Sequence, residues 1–466
     1  MKSGKIFQRA ILAAFIVIFL LSAVVGATVK LYTASGEGYC YESESQDIAK
    51  QRAVDKAVKK ATKEAGIYLK TYSRSVNSEL TDDEVTAITS NAWQLVGEPK
   101  FTREIINHSG DTQIIVWTAN VEVNVDDSEI QSWIKRDDKD KLMIISQTRE
   151  AQKASEENDK KIEDLRKQYN SATSQSEKDK ILKQMNDADR DFLANQKNEE
   201  GLKLHYSKDY NGAIKLYNEA IEIDPNAAYT YNNRGIAYND LGQNERAIQD
   251  YNKAIKLNPN LAELYNNRGL GYQALKQYER AIQDYNKAIQ INPNLYQEYY
   301  NRGLVYQALK QYKRAIQDYN KAIQINPNFD MIYSNRGAAY IDGLKQYERA
   351  IQDCNKAIEL NPKNYDAYNN RGSAYYYLKQ YEQAFQNFNK AIELNTNDYQ
   401  AYTNRGAVYF LKHQYDLALQ DFNKAIKINP DYVLAYINLA IFYKKLGDEE
   451  KAKTYLKKAT ELGYNG

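Results

Sequence analysis

Three spacings of hydrophobic positions succeed one another along the 466 residues, and each change of spacing marks a division of the chain. The first is an unbroken apolar run from Ala10 to Ala27 behind Lys2, Lys5 and Arg9, the charge and length pattern of an export leader. Val25 and Ala27 stand at the small-residue positions of a cleavage site before Thr28. The run also approaches the ~20 residues that span a bilayer. Residues 1–27 are therefore read as a signal peptide or a retained anchor, with the remainder outside the cytoplasm in both cases. No cysteine closes the run, so a lipid-modified amino-terminal cysteine is not expected.

Residues 28–134 mix two periods and predict a small α+β domain. Val29 to Thr33 reads as a strand, with Gly36 and Gly38 marking a turn. Ala53, Ala57, Val58, Ala61, Ala65 and Tyr68 recur at helical spacing within a helix from Gln46 to about Tyr72. Thr81 with Glu84 three residues on forms a capping box for a shorter helix. Phe101–Asn107 and Thr112–Val125 predict a hairpin around His108–Asp111, with Ile115, Trp117, Ala119, Val121, Val123 and Val125 on one buried face. The order strand, Ala34-x-Gly36-x-Gly38, alanine-striped helix and closing hairpin resembles a small domain of bacterial envelope lipoproteins and of the flagellar H-ring protein's N-terminal region. That resemblance implies a non-catalytic envelope domain that docks onto other proteins.

Residues 135–193 are highly charged. Ile162, Leu165 and Tyr169, then Ile181, Met185, Ala188 and Phe192, keep a 3–4 spacing on either side of Asn170–Ser174. This predicts a helical hairpin serving as a spacer, its second arm running on into the segment that begins at Ala194. Its charge runs read as a solvated face.

From Ala194 onward the period becomes 34 residues. Pro225, Pro259, Pro293, Pro327, Pro362 and Pro430 are separated by 34, 34, 34, 35 and 68 positions. Thr396 fills the missing slot, and an extra residue in Tyr340–Leu344 explains the interval of 35. Repetition at this length signals stacked helix-turn-helix units. The text, with Asn267-Arg268-Gly269 in one helix and Arg280 to Ile289 in the next, closely resembles the tetratricopeptide family. Eight repeats begin near Ala194, Ala228, Ala262, Tyr296, Asp330, Tyr365, Tyr399 and Val433. The eighth position is small in all of them, and the twentieth and twenty-seventh are alanine, as Ala281 and Ala288 in repeat three. The fold expected is thus mainly α: a right-handed solenoid over 194–466 with a C-terminal cap, behind a small α+β domain and a helical spacer.

The resemblance implies that first helices line a concave groove. The sixth position there is asparagine in seven consecutive repeats: Asn233, Asn267, Asn301, Asn335, Asn370, Asn404 and Asn438. A carboxamide can bond the backbone of an extended peptide without demanding particular side chains, and a similar ladder lines the repeat groove of the O-linked N-acetylglucosamine transferase. The same carboxamides can instead bond the neighbouring helix, and both readings stand at this point. Tyr229, Tyr300, Tyr376 and Tyr377 join the candidate contacts, making a polar, aromatic groove of low charge. The arginines at position seven are expected to pair with the acid at position 23, as Arg268 with Asp284. The Lys and Asn set with which relatives clamp a terminal carboxylate is missing, so that partner class is not carried over.

Composition narrows the rest. Lys plus Arg number 63 against 61 Asp plus Glu, so no basic track for nucleic acid is expected. With 2 Cys, 3 His and none of the usual phosphate, zinc, nucleophile-elbow or dithiol motifs, neither a cofactor nor a metal nor catalysis is expected. Of the 41 Tyr, most fall at repeat positions four, eleven, seventeen and twenty-four and read as packing residues. The chain thus reads as an exported adaptor of the periplasm or cell envelope, binding extended segments of other envelope proteins. Two alternatives remain: an active site within 28–134, and a self-assembling structural component.

Overall fold

The computed structural model describes residues 29–40, 46–75, 81–91, 93–107, 113–126 and 138–464. The leader, Ala10–Ala27, and the turn His108–Asp111 lie outside them. The contacts divide the chain into two bodies, Met1–Pro259 and Asn260–Gly466.

In the first body, strand β1 (Val29–Cys40), helix α1 (Gln46–Ser75), helix α2 (Asp82–Asn91) and strands β2 (Trp93–Leu95), β3 (Lys100–Asn107) and β4 (Gln113–Asp126) build an antiparallel sheet with β4 between β1 on one side and β2 and β3 on the other. The hairpin is present, with Phe101 opposite Ala119 and Ile105 opposite Ile115. The capping box is present too: Thr81 N donates to Glu84 Oε2 at 2.9 Å, and Glu84 N to Thr81 Oγ1 at 3.2 Å. Gly36 and Gly38 do not form a turn. They continue β1, opposite Ala119 and Trp117, because α1 lies against the strand. A Cβ on Gly38 would stand 1.7 Å from the carbonyl oxygen of Ala49, and one on Gly36 would stand 2.4 Å from that of Ala53. The alanine stripe is the other half of this contact, with Ala49, Ala53, Ala57, Ala61 and Ala65 all buried.

Helix α3 (Asp138–Ser171) and helix α4 (Gln175–Tyr206) form the charged hairpin, with Ser174 capping α4 through Glu177 N at 3.3 Å. Ile162, Leu165, Tyr169, Ile181, Met185 and Ala188 form its buried seam, which also takes in Val116 of β4. Not all its charges are solvated. Buried Arg52 of α1 pairs with buried Asp189, and Lys59 Nζ donates to Ser155 Oγ at 2.6 Å. Asp55 and Asp159 hold the Lys59 ammonium up at about 12 against the opposing pull of burial, which alone would lower it. Tyr206, at the end of α4, packs with Val58, Ala61, Ile88 and Val121, so the helix that opens repeat one is part of the core of the α+β region.

The repeats are antiparallel helix pairs, such as Tyr296–Ala308 with Tyr312–Ile325. Six of the second helices end on an asparagine or aspartate whose side chain accepts the backbone N–H two residues on, as Asn292 from Asn294 at 3.1 Å. Asn395 does the same for Asn397 at 3.0 Å, so the side-chain turn closes the helix even where Thr396 replaces proline. The extra residue of repeat five is absorbed as a π-helical turn, Tyr340–Leu344. Among the described residues no helix is long and apolar enough to cross a membrane.

Candidate functional site

Each repeat is assembled around its small eighth position. A Cβ on Gly303 would come within 2.6 Å of the Tyr319 ring, and Gly269 faces Tyr285, Gly372 Phe388 and Gly406 Phe422 in the same way. The position-seven arginine then crosses between helices. Arg302 Nε and Nη2 donate to Asp318 Oδ2 and Oδ1 at 2.8 and 2.6 Å, and its Nη1 bonds Asn286 of the preceding repeat. Arg234, Arg268, Arg336 and Arg405 grip Asp250, Asp284, Asp353 and Asp421 by the same fork. Tyrosines four and eleven flank the guanidinium, at 5.6 Å for Tyr299 and 5.9 Å for Tyr306 in repeat four, which is where much of the tyrosine excess goes.

In the Asn260–Gly466 body, first helices of neighbouring repeats also touch one another, so they form the inner wall. The asparagines run along their contact line. Asn301 Nδ2 donates to Asn266 Oδ1 at 3.0 Å, Asn335 to Tyr300 Oη at 3.0 Å, Asn370 to Ser334 O at 3.2 Å and Asn404 to Asn369 Oδ1 at 3.0 Å. Position six of each of these repeats thus bonds position five of the one before. Asn267 Oδ1 accepts from Asn266 at 3.4 Å, and Asn438 is half-buried in the last repeat. In the other body Asn233 does the same with Asn198 at 3.0 Å but is 1% exposed. The carboxamides therefore do bond neighbouring helices, through Nδ2. The Oδ1 atoms of Asn301, Asn335, Asn370 and Asn404, all half-buried, have no partner among the described residues. Position-five residues as the acceptors of the ladder escaped the sequence reading, since nothing in a 34-residue period says which positions of adjacent repeats meet.

The tyrosines divide. Tyr300 is half-buried on the wall, 5.6 Å from Phe329. Tyr376 and Tyr377 pack edge to face at 5.8 Å, and Tyr377, 54% exposed, stacks on Tyr347 at 5.2 Å. Tyr229 lies in the other body, largely covered, its hydroxyl pushed up by burial and then by Asp224 and Glu199.

Carboxylates share the wall. Burial, then Asp398 and Asp330, push the Asp366 carboxyl up to about 6. Asp330 accepts from Asn361 and Asn364 Nδ2 at 3.0 and 2.6 Å. Asp398 caps its helix through Gln400 N and Ala401 N at 3.0 and 2.9 Å, while its Oδ2 is buried with no partner among the described residues. These three carboxylates stand at the starts of the first helices of repeats five, six and seven. Glu298, 3% exposed with an unpartnered Oε2, is pushed up to about 7 by burial and then by Glu263. Raised in the folded state, it favours folding most below the ordinary carboxyl range and loses that contribution as pH rises through about 7. Stability of this body should therefore fall as pH rises toward about 7. Glu298→Gln should flatten the dependence and gain about 2 kcal/mol above that pH, read from urea midpoints across pH.

Tetratricopeptide-repeat models match residues 262–295, 296–329, 365–398 and 399–432, and further models of the same repeat match 201–242, 235–276, 344–379 and 422–454, together about half of the chain. This is a tetratricopeptide repeat protein. The matches lie within the repeats and leave 28–134 untouched. Small glutamine-rich tetratricopeptide repeat-containing protein 2 of Mycosarcoma maydis is 42% identical over 55 residues, 12% of this chain and 16% of that protein, so the match spans about a sixth of the relative's length. Among solved structures, MamA is 32% identical over 35% of this chain and 95% of its own, with a TM-score of 0.33. A tetratricopeptide repeat protein of Parabacteroides merdae is 24% identical over 53% of this chain and 94% of its own, with a TM-score of 0.45. YrrB, described as having an unusual peptide-binding site, is 28% identical over 40% of this chain and 95% of its own, with a TM-score of 0.32.

Outside the inner wall of this tetratricopeptide repeat protein, chemistry is sparse. Cys354 is fully buried where other repeats place an aromatic ring, and burial pushes its thiol up. His205 is buried with Nε2 2.9 Å from Asp240 Oδ2. Among the described residues no group of His, Cys, Asp and Glu is arranged to hold a metal ion. A depression of about 400 Å³ between β1, β4 and the segment after β2 is lined by Thr33, Ser35, Lys60, Glu98, Lys100 and Glu122, with no histidine or cysteine.

Proposed function

We propose that this chain is a non-catalytic exported scaffold, held at the cell envelope by residues 1–134 and binding extended segments of other envelope proteins along the inner wall of its repeats. The leader pattern of Lys2, Lys5, Arg9 and Ala10–Ala27 supports export, and the likeness of the 28–134 region to envelope domains supports the location. The observation that carries the binding role is the row of free Oδ1 acceptors on Asn301, Asn335, Asn370 and Asn404. Packed helices stand roughly 8–10 Å apart, about one turn of an extended polyproline-II chain, three residues at ~3.1 Å each, which brings every third N–H to one face. One acceptor per repeat therefore matches one backbone N–H in three.

Because Nδ2 staples the repeats, the test must separate binding from stability. A photo-crosslinker at Gln297 is expected to capture envelope proteins in intact cells, and one at Lys287 on a second helix is not. Capture should vanish with Asn301→Ala, Asn335→Ala and Asn370→Ala combined. It should persist with Asn266→Ala, which removes the staple from Asn301 Nδ2 and leaves the Oδ1 row intact. Equal capture from both faces, or capture that follows thermal stability across the variants, would rule the reading out.

A further inference from the structure

Strand β3 is an edge of the sheet in the Met1–Pro259 body. It pairs with β4 on one side, from Lys100 opposite Asn120 to Asn107 opposite Gln113, and among the described residues no strand pairs with its other side. Every residue from Lys100 to Ile105 is exposed. An antiparallel strand turns the N–H and C=O of alternate residues to opposite sides, so half of the backbone groups of β3 point away from β4. Two apolar side chains are exposed with them, Phe101 at 38% and Ile105 at 46%. Phe101 meets Trp117 of β4 edge to face at 6.3 Å, and the Arg103 guanidinium lies 5.9 Å from the same ring. Phe101, Arg103 and Ile105 share one face of the strand, as a period of two requires.

An edge that must stay unpaired is blunted by a bulge, by proline or by lysines that repel an incoming strand. The strand β3 runs opposite β4 residue for residue without a bulge, and its charges are of both signs: Lys100, Arg103 and Glu104. Their order is self-complementary. A second copy of β3, laid antiparallel beside the first with the same face up and centred on Thr102, sets Lys100 opposite Glu104 of the second copy and Glu104 opposite its Lys100. Phe101 then stands opposite Arg103 in both directions, a ring beside a guanidinium. Other registers lose this match. A centre at Phe101 opposes Glu98 to Glu104, and a centre at Arg103 or Glu104 opposes that charge to its own copy.

We propose that β3 is an interface between two copies of this chain, which pair as antiparallel edge strands about a two-fold axis at Thr102 and join their sheets into one. A second copy is the occupant because one strand sequence supplies both halves of every pair, as a two-fold interface requires. Pairing covers Phe101 and Ile105 and satisfies the outward backbone groups. Pro99, which has no N–H, ends the ladder where Ile105 of the second copy arrives. The paired chain presents two repeat arrays, so a partner with two binding segments is held by avidity. The interface stands whatever the repeats bind.

Sedimentation equilibrium of the full chain over a range of concentrations is expected to show a monomer–dimer equilibrium. Lys100→Glu turns two opposite-charge pairs into two like-charge pairs and should weaken the dimer by about tenfold or more, as should Glu104→Lys. The combined variant rebuilds both pairs in reverse and should return to within about threefold of the unsubstituted chain, a rescue that loss of folding cannot produce. Thr102→Cys should link two copies under mild oxidation, since directly opposed residues have Cα atoms about 4.5–5.5 Å apart. Glu122→Cys, exposed on β4, should not. A monomer at every concentration overturns the proposal, as does a dimer that both single swaps leave unchanged or that the combined variant fails to restore. So does Thr102→Cys that links no better than Glu122→Cys.

Discussion

Arg302→Ala should lower the stability of the Asn260–Gly466 body by about 3–5 kcal/mol, because it strands a buried carboxylate. The Asp318 side chain is 9% exposed. It receives both arms of the guanidinium fork, and its partner spans the rings of Tyr299 and Tyr306. Removing the arginine leaves the charge with neither pairing nor water, and also deletes the link to Asn286 of the preceding repeat. The protein contains its own milder variant. Repeat six carries Asn387 at this position, where it still accepts from Arg371 Nε at 2.8 Å and spends Nδ2 on Gln383 O at 2.8 Å. Asp318→Asn should consequently cost only about 1 kcal/mol, in the range of one hydrogen bond. Chemical denaturation followed by circular dichroism distinguishes the two. Equal losses would mean that the fork acts through shape and not through compensation of a buried charge.

The second large effect belongs to Gly38. A single methyl there meets the backbone carbonyl of Ala49 at 1.7 Å and the backbone nitrogen of Ala53 at 3.0 Å. Backbone cannot swing aside as a side chain can, so α1 must leave the strand. Gly38→Ala is expected to cost about 3 kcal/mol or more, at or beyond the upper end of the usual range for overpacking. Its signature should be rapid proteolysis and amide exchange within Gln46–Ser75, while the repeats of the other body keep their protection. Gly337→Ala offers a contrast. Its nearest neighbour is Cys354 Sγ at 3.0 Å, so it should be tolerated better than Gly303→Ala, which presses on a fully buried tyrosine ring.

Much of the architecture follows from local physical chemistry that a linear reading can reach. Thr81 and Glu84 form the capping box that their spacing announces, and Ser174 caps α4 next to the break at Asn170–Ser174. The 34-residue period determines two helices per repeat, and the invariant alanines at positions 20 and 27 are buried throughout, as Ala281 and Ala288 are. Cys354 reads as a core residue from its slot alone and is one. These features depend on neighbours within a turn or a hairpin, where chain spacing and distance in space amount to the same thing.

The same residue types mean different things once distant segments meet. Gly36 and Gly38 look like a turn in the sequence, and only the approach of α1 shows that a straight strand needs them bare. The asparagine row is plain in the text, but which of its atoms is spent depends on how one repeat stacks on the next, and Nδ2 turns out to be the committed one. Asp330, Asp366 and Asp398 are far apart in the sequence, and only the stacking of successive repeats sets Asp398 and Asp330 against the Asp366 carboxyl. Sequence by itself determined the repeat, its period and its caps, because these are set by bonds within a few residues. Tertiary structure decided where charge gathers, because electrostatic fields add over space regardless of the order of residues along the chain.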